Sequence, residues 1–209
     1  MRQEVARVES EIALCVRCYG AEPRWPARLE RPEGRGRVLV LCERPPREML
    51  AAEERLGLES RDASTRFLRV LVRESRIPEG ELFVGAAILC RPQSLALEAA
   101  VPRRVCLFEC SVHVRELVRA AQPRLVVPLG AAALRSITLA FPEQRPLAQL
   151  RFPDAVGRTV VAGATYFHPL YHFSARARVT RPEAAQMEDW RRLGRLWEWI
   201  AAGEGGLRP

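Results

Sequence analysis

Short, continuous apolar runs recur along this chain with helix-like stretches between them, and that pattern limits its fold more than any other feature. Val38–Cys42 (VLVLC), Leu82–Leu89 and Leu125–Gly130 are apolar at nearly every position, and a fourth run lies within RTVVAGATYFHPL, leading into His168. A strand with no polar side is covered on both faces, as in a parallel sheet flanked by helices. The intervening stretches have helical spacing. Thr65–Arg73 places Phe67, Leu68, Leu71 and Val72 on one face, and the helix expected over 107–121 does the same with Val114, Leu117 and Val118. Residues 2–14, Arg47–Leu58 and AAALRSITLAF also read as helices. A last amphipathic helix follows Pro182, with Trp190, Leu193, Leu196, Trp197 and Ile200 on its apolar stripe. The stretches 20–37 and RPQSLALEAAVPRR read as loops. Strands alternating with helices predict an α/β fold: a three-layer sandwich with a central, mostly parallel four-stranded sheet and helices on both faces. Nothing in the pattern divides residues 1–209, so a single domain is expected.

The charge narrows the partners. All 33 basic residues are arginine, and the formal net charge is +8. Arginine makes bidentate contacts to phosphate and stacks on bases, so a surface of this kind favours a polyanion such as DNA. A GC-rich genome or ion-pair networks would also enrich arginine. No apolar run approaches the roughly 20 residues of a membrane span. The first fifteen residues form an amphipathic pattern with charges throughout, not a signal peptide. These features predict a soluble, cytoplasmic, monomeric protein with no membrane partner. In that compartment cysteine spacing points to metal binding or catalysis rather than to disulfides.

Six cysteines lie at positions 15, 18, 42, 90, 106 and 110. Cys15 and Cys18 form a CxxC turn, Cys90 precedes Arg-Pro, and two more follow within twenty residues. Cys42 ends an apolar strand and reads as core. Four thiolates suit tetrahedral zinc or a four-iron–four-sulfur (4Fe–4S) cluster. Zinc ribbons usually bring two compact CxxC pairs, and here the second pair is split by a loop, which favours the cluster, with zinc as the alternative.

These motifs, in this order, resemble the iron–sulfur, family 4-like branch of the uracil-DNA glycosylase superfamily. The resemblance rests on LCVRC at 14–18, VLVLCERPP at 38–46, ILCRP at 88–92, ECSVHVRELVRAAQPRLVVPLGAAAL at 109–134 and YFHPLY at 166–171. It implies a glycosylase-like fold and a Cys-ligated cluster tying the N-terminal segment to the 90–110 loop. The ligands it implies are Cys15, Cys18, Cys90 and Cys110, the last chosen because it stands thirteen residues before Pro123. Cys106, sixteen residues after Cys90, is the alternative fourth ligand.

The resemblance also implies a site. His168, preferred over His113 and His172, would contact the leaving base, and Glu43 would steady a cationic sugar or its attacking water. Substrate-binding positions fall on Ser60, Ala86, Tyr171 and Arg176. Several depart from the family pattern: its stacking Phe becomes Ser60, its base-reading Asn becomes Ala86, and its Arg six residues past the His-Pro histidine becomes Ser174. Both glycines of its Gly-Glu-x-Pro-Gly are replaced, by Cys42 and Pro46. Each lost stacking or reading group removes roughly 1–3 kcal/mol of recognition. The expected function is a divergent DNA-repair glycosylase that hydrolyses the N-glycosidic bond of uracil or another deaminated base. The alternatives are a catalytically silent iron–sulfur DNA-binding protein on the same scaffold, a zinc-stabilised interaction module, and an electron carrier.

Overall fold

The computed structural model of the chain describes residues 2–29, 37–58 and 63–203. Helix α1 (Arg2–Leu14) leads into strand β1 (Arg24–Pro26), then β2 (Val38–Cys42), α2 (Arg47–Ala51) and α3 (Ala63–Ser75). Next come β3 (Leu82–Ala86), β4 (Cys90–Pro92), α4 (Leu95–Ala100), α5 (Arg103–Ala121), β5 (Leu125–Pro128), α6 (Gly130–Ala140) and α7 (Arg145–Ala148). The hairpin β6 (Val160–Ala162) and β7 (Thr165–Phe167) precedes α8 (Ala175–Thr180) and α9 (Glu183–Ala201).

The main sheet has five strands in the order β3-β2-β5-β7-β6. The first four run parallel, and β6 returns antiparallel along β7. This corrects the expected four-stranded sheet. The apolar run RTVVAGATYF is long enough for two strands, and the two-residue turn Gly163–Ala164 folds it on itself, pairing Ala162 with Thr165.

Alternation along β2 divides the core. Leu39 and Leu41 join the cluster that holds Val5 and Ile12 of α1, Leu117 of α5 and Ile137 of α6. Val38 and Val40 join Leu68 and Leu71 of α3 and Trp190, Leu193, Trp197 and Ile200 of α9 on the other face. The helical stripes read from the sequence are thus the faces that meet the sheet. At the α3–α9 contact a Cβ on Gly194 would lie 1.9 Å from the carbonyl oxygen of Ser75, so only glycine permits this approach.

Three local expectations are corrected. The helix read over Arg47–Leu58 stops at Ala51, because Glu53 turns to φ 57°. The chain then pairs Arg55 with Arg28, and the Leu56 N–H donates to the Arg28 carbonyl at 2.7 Å. Part of the stretch read as a loop from Gly20 to Arg37 forms β1, which pairs antiparallel with β4. The stretch after Pro92 contains α4, capped where Ser94 Oγ accepts from the Leu97 N–H at 3.2 Å. Among the described residues, no helix is long and apolar enough to cross a membrane.

Candidate functional site

From β2 the chain moves to β3 on one side and later to β5 on the other. In open α/β sheets such a switch point opens a crevice at the carboxyl ends of the strands, where ligands bind. Here that crevice is a cavity of about 130 Å³, walled by Cys42, Arg44, Pro45, Pro46, Met49, Val84, Ala86, His172 and Phe173 among others. Three larger grooves are present among the described residues: two of about 480 and 790 Å³ at the opposite ends of the strands and one of about 520 Å³ between α7 and β6, and none is lined by histidine or cysteine. The small cavity is therefore the one placed for chemistry.

His172 reaches the cavity because the β7 ladder runs past its last strand residue. The Leu170 N–H donates to the Pro128 carbonyl at 3.0 Å, Leu170 pairs with Leu129, and the Gly130 N–H donates to the Leu170 carbonyl at 2.8 Å. The chain leaves the sheet only after that. The His172 Nδ1 accepts a hydrogen bond from the Ser174 backbone N–H at 3.0 Å. A nitrogen that accepts carries no proton, so the neutral ring holds its proton on Nε2 and can donate there. Burial lowers the His172 pKa, and the Glu43 carboxylate only partly offsets this.

His168, the histidine expected to contact the base, does not line the cavity. It lies four residues earlier, still inside the ladder, where its N–H donates to the Val126 carbonyl at 2.9 Å. Its Nδ1 is 2.8 Å from Thr159 Oγ1, and burial, partly offset by Asp189, lowers its pKa to about 4. Strand β7 ends at Phe167, directly before the His-Pro pair, and an isolated bridge at Leu170 keeps the chain beside β5 beyond it. Counted from His172, the arginine six residues on is Arg178, whose guanidinium sits 5.1 Å over the Phe67 ring.

The remaining candidates scatter around the crevice. Glu43 stands beside the cavity, its carboxylate 2.9 Å from Arg103 Nη1 at the start of α5. Ala86 is fully buried in the cavity wall at the end of β3. Tyr171 packs edge-on against Phe152 at 5.0 Å, and Arg176 is exposed on α8. Ser174 caps α8 by accepting from the Ala177 N–H at 3.4 Å. Ser60 lies outside the described residues.

The thiols gather on the far side of Arg44, and the β1–β4 ribbon brings them together. It sets Pro26 opposite Cys90 a few residues after the CxxC turn. Helix α5 packs along α1, carries Cys106 and Cys110 one turn apart, and is tied to the turn by Arg17 and Glu109 at 3.5 Å. All six cysteines are free, and Cys90, Cys106 and Cys110 are buried. Cys18 is within hydrogen-bonding reach of Cys106 and Cys110. The bond with Cys106 favours the Cys18 thiolate, but that with Cys110, burial and neighbouring sulfurs outweigh it and push the thiol up to about 12. Burial, with the charges of Cys18 and Cys15, pushes Cys90 up to about 12. Cys106 is raised through its bond with Cys18 and by burial. Adjacent buried thiols resist ionising together, and a bound cationic centre reverses that resistance. The donor set therefore fits a metal–sulfur group in its chemistry. Among the described residues, no group of three or more His, Cys, Asp or Glu side chains is arranged to hold a metal ion. The fit is thus one of donors and not of a formed coordination shell.

Sequence reasoning ranked His172 below His168, although His172 has an arginine six residues later. Tyr19 and Arg44 carry no signal in the sequence, because their contacts with Cys106 and Glu98 form across the fold. No curated protein matches the chain. The family model of the uracil DNA glycosylase superfamily matches residues 32–194, spanning the sheet, the crevice and most of α9. The chain belongs to the uracil DNA glycosylase superfamily.

Proposed function

We propose that this chain is a DNA-repair glycosylase with a divergent pocket, cleaving the N-glycosidic bond of a deaminated base held in the crevice between β2, β3 and His172. In that reaction the bond from the sugar C1′ to the base nitrogen breaks, its electron pair leaves with the base, and water adds to C1′. The observation that carries the proposal is the hydrogen bond that the Ser174 N–H donates to His172 Nδ1 at 3.0 Å. A neutral ring with a fixed Nε2–H suits a developing negative charge on a base oxygen, because the donor is oriented before the charge forms. Glu43 supplies the opposite sign for the cationic sugar, held in place by Arg103.

A 4Fe–4S cluster on Cys15, Cys18, Cys90 and one of the two α5 thiols would clamp the N-terminal segment to the strand after Leu89. The electrostatic coupling among these thiols supports it. Zinc on the same thiols is the alternative.

The test is base release from oligonucleotides carrying uracil, hypoxanthine or xanthine, with abasic sites revealed by alkali. His172→Ala is expected to lower release about 100-fold or more, in the range of a lost general-acid or electrostatic group. His168→Ala is expected to cost stability and leave the chemistry near wild type. Full release by His172→Ala would sink the assignment. A second reading, a silent DNA-binding protein, is favoured by the cavity's apolar wall at Ala86 and by Pro46, which has no N–H to offer a base. DNA binding with no abasic product on any of the three lesions would select it.

A further inference from the structure

A connected set of side chains runs from the thiols to the cavity. Tyr19 is 4 % exposed, and its hydroxyl lies 3.3 Å from Cys106 Sγ. That hydroxyl accepts from Arg44 Nη2 at 3.3 Å, and its own proton is available to a Cys106 thiolate, which has none to give. Arg44 Nη1 donates to Glu98 at 2.8 Å, and the same carboxylate holds Arg47 and Arg91. Three permanent cations thus share one anion beside the thiols. Arg44 also lines the cavity, and its Nε is buried with no hydrogen-bond partner among the described residues.

We propose that Tyr19 and Arg44 are positioning residues that couple the thiol centre to the base cavity, with Cys106 as the α5 ligand of that centre. The proposal rests on the cluster-bearing glycosylase reading given above. A thiolate ligand takes hydrogen bonds from its surroundings, and these orient it and tune the metal. Of the two α5 thiols, Cys106 is the one with such a donor in Tyr19. The thiolate holds the Tyr19 O–H, the Tyr19 oxygen holds one arm of Arg44, and Glu98 holds the other. Arg44 is thereby fixed in the wall of the cavity that it lines, the place from which a guanidinium N–H can meet a base carbonyl. Recognition in the cavity then depends on a centre that touches no base.

The test uses the iron-loaded full chain and its Tyr19→Phe, Arg44→Gln and double variants. Two readouts are taken: the midpoint potential of the cluster, and the affinity for a uracil-containing strand relative to an unmodified one. Tyr19→Phe is expected to retain iron and to shift the potential downward, since a lost hydrogen bond to sulfur disfavours the reduced state. Each single variant is expected to lose about two- to tenfold of the uracil preference, the range of one hydrogen bond. The double variant is expected to lose no more than Arg44→Gln alone. An unchanged potential in Tyr19→Phe, losses that multiply in the double variant, or a wild-type protein that takes up no iron would each overturn the proposal. Should Tyr19→Phe lose its iron, Glu98→Gln loosens Arg44 from the other side. Reduced uracil preference at full iron content then supports the coupling, and unchanged preference overturns it. Neither readout needs base release, so a protein that binds and couples without cutting removes the glycosylase reading alone.

Discussion

Gly130 and His172 meet where β5 gives way to α6: a β-carbon at position 130 would lie 3.1 Å from the β-carbon of His172, and Gly130 holds φ at +82°. The glycine answers two demands at once. An L-residue there adopts a backbone conformation that costs about 1–2 kcal/mol, and its side chain pushes on the residue proposed to face the base. Gly130→Ala is therefore expected to lower base release more than tenfold while lowering the melting temperature by only a few degrees. Parallel measurement of both separates displacement of His172 from general unfolding. A variant with release intact would show that His172 need not sit where it does.

His168 makes a prediction about stability and acidity. Burial lowers its folded pKa to about 4, against about 6.5 for an unfolded histidine. The unfolded chain therefore binds the proton first as pH falls. The stabilisation is fully present above about 6.5, shrinks as pH drops toward 4, and changes no further once both states are protonated. The loss over that window is on the order of 3 kcal/mol. Urea unfolding of wild type and His168→Gln between pH 4 and 7 checks this. The glutamine, which keeps a partner for Thr159, is expected to flatten the slope, and equal slopes would remove His168 as its source.

Much of this fold was written in local pattern. The both-faces-apolar run at Val38–Cys42 and the stripe at Phe67, Leu68, Leu71 and Val72 became a central strand and a packed helix because one periodicity decides each. The ribbon between β1 and β4 was not legible. Arg24–Pro26 and Cys90–Pro92 are short, proline-bearing and partly exposed, and each is a strand only because the other is present. The site is less legible. The strand does end before the His-Pro pair, at Phe167, but a bridge from Leu170 to Leu129 carries the chain on along β5 until His172 lines the cavity. Where a ladder stops is decided by its neighbour, and the neighbour is distant in sequence.

The thiols on α5 can be told apart. Cys106 and Cys110 are both buried and both within reach of Cys18. Cys106 alone of the two has the Tyr19 hydroxyl against its sulfur. Cys106→Ser is expected to abolish iron retention after anaerobic reconstitution, measured as iron per protein and absorbance near 400 nm. Cys110→Ser is expected to hold iron near the wild-type level. The reverse result would make Cys110 the ligand and leave Cys106 as a hydrogen-bonded neighbour.

Ala86 offers a gain-of-function test of the divergent pocket. It is fully buried in the cavity wall, opposite Cys42 in the β2–β3 register, at the position where the family pattern has an amide that reads the base. Ala86→Asn would bury an unpaired amide in an apolar wall, at about 1–3 kcal/mol of stability. A base offering a complementary edge would then satisfy it and gain discrimination of similar size, roughly 5- to 150-fold. The expected result is a lower melting temperature for the free protein and a raised preference for uracil over hypoxanthine. A destabilised variant with unchanged preference would mean that the base edge does not meet the end of β3, and that recognition in this protein runs through Arg44 and His172 alone.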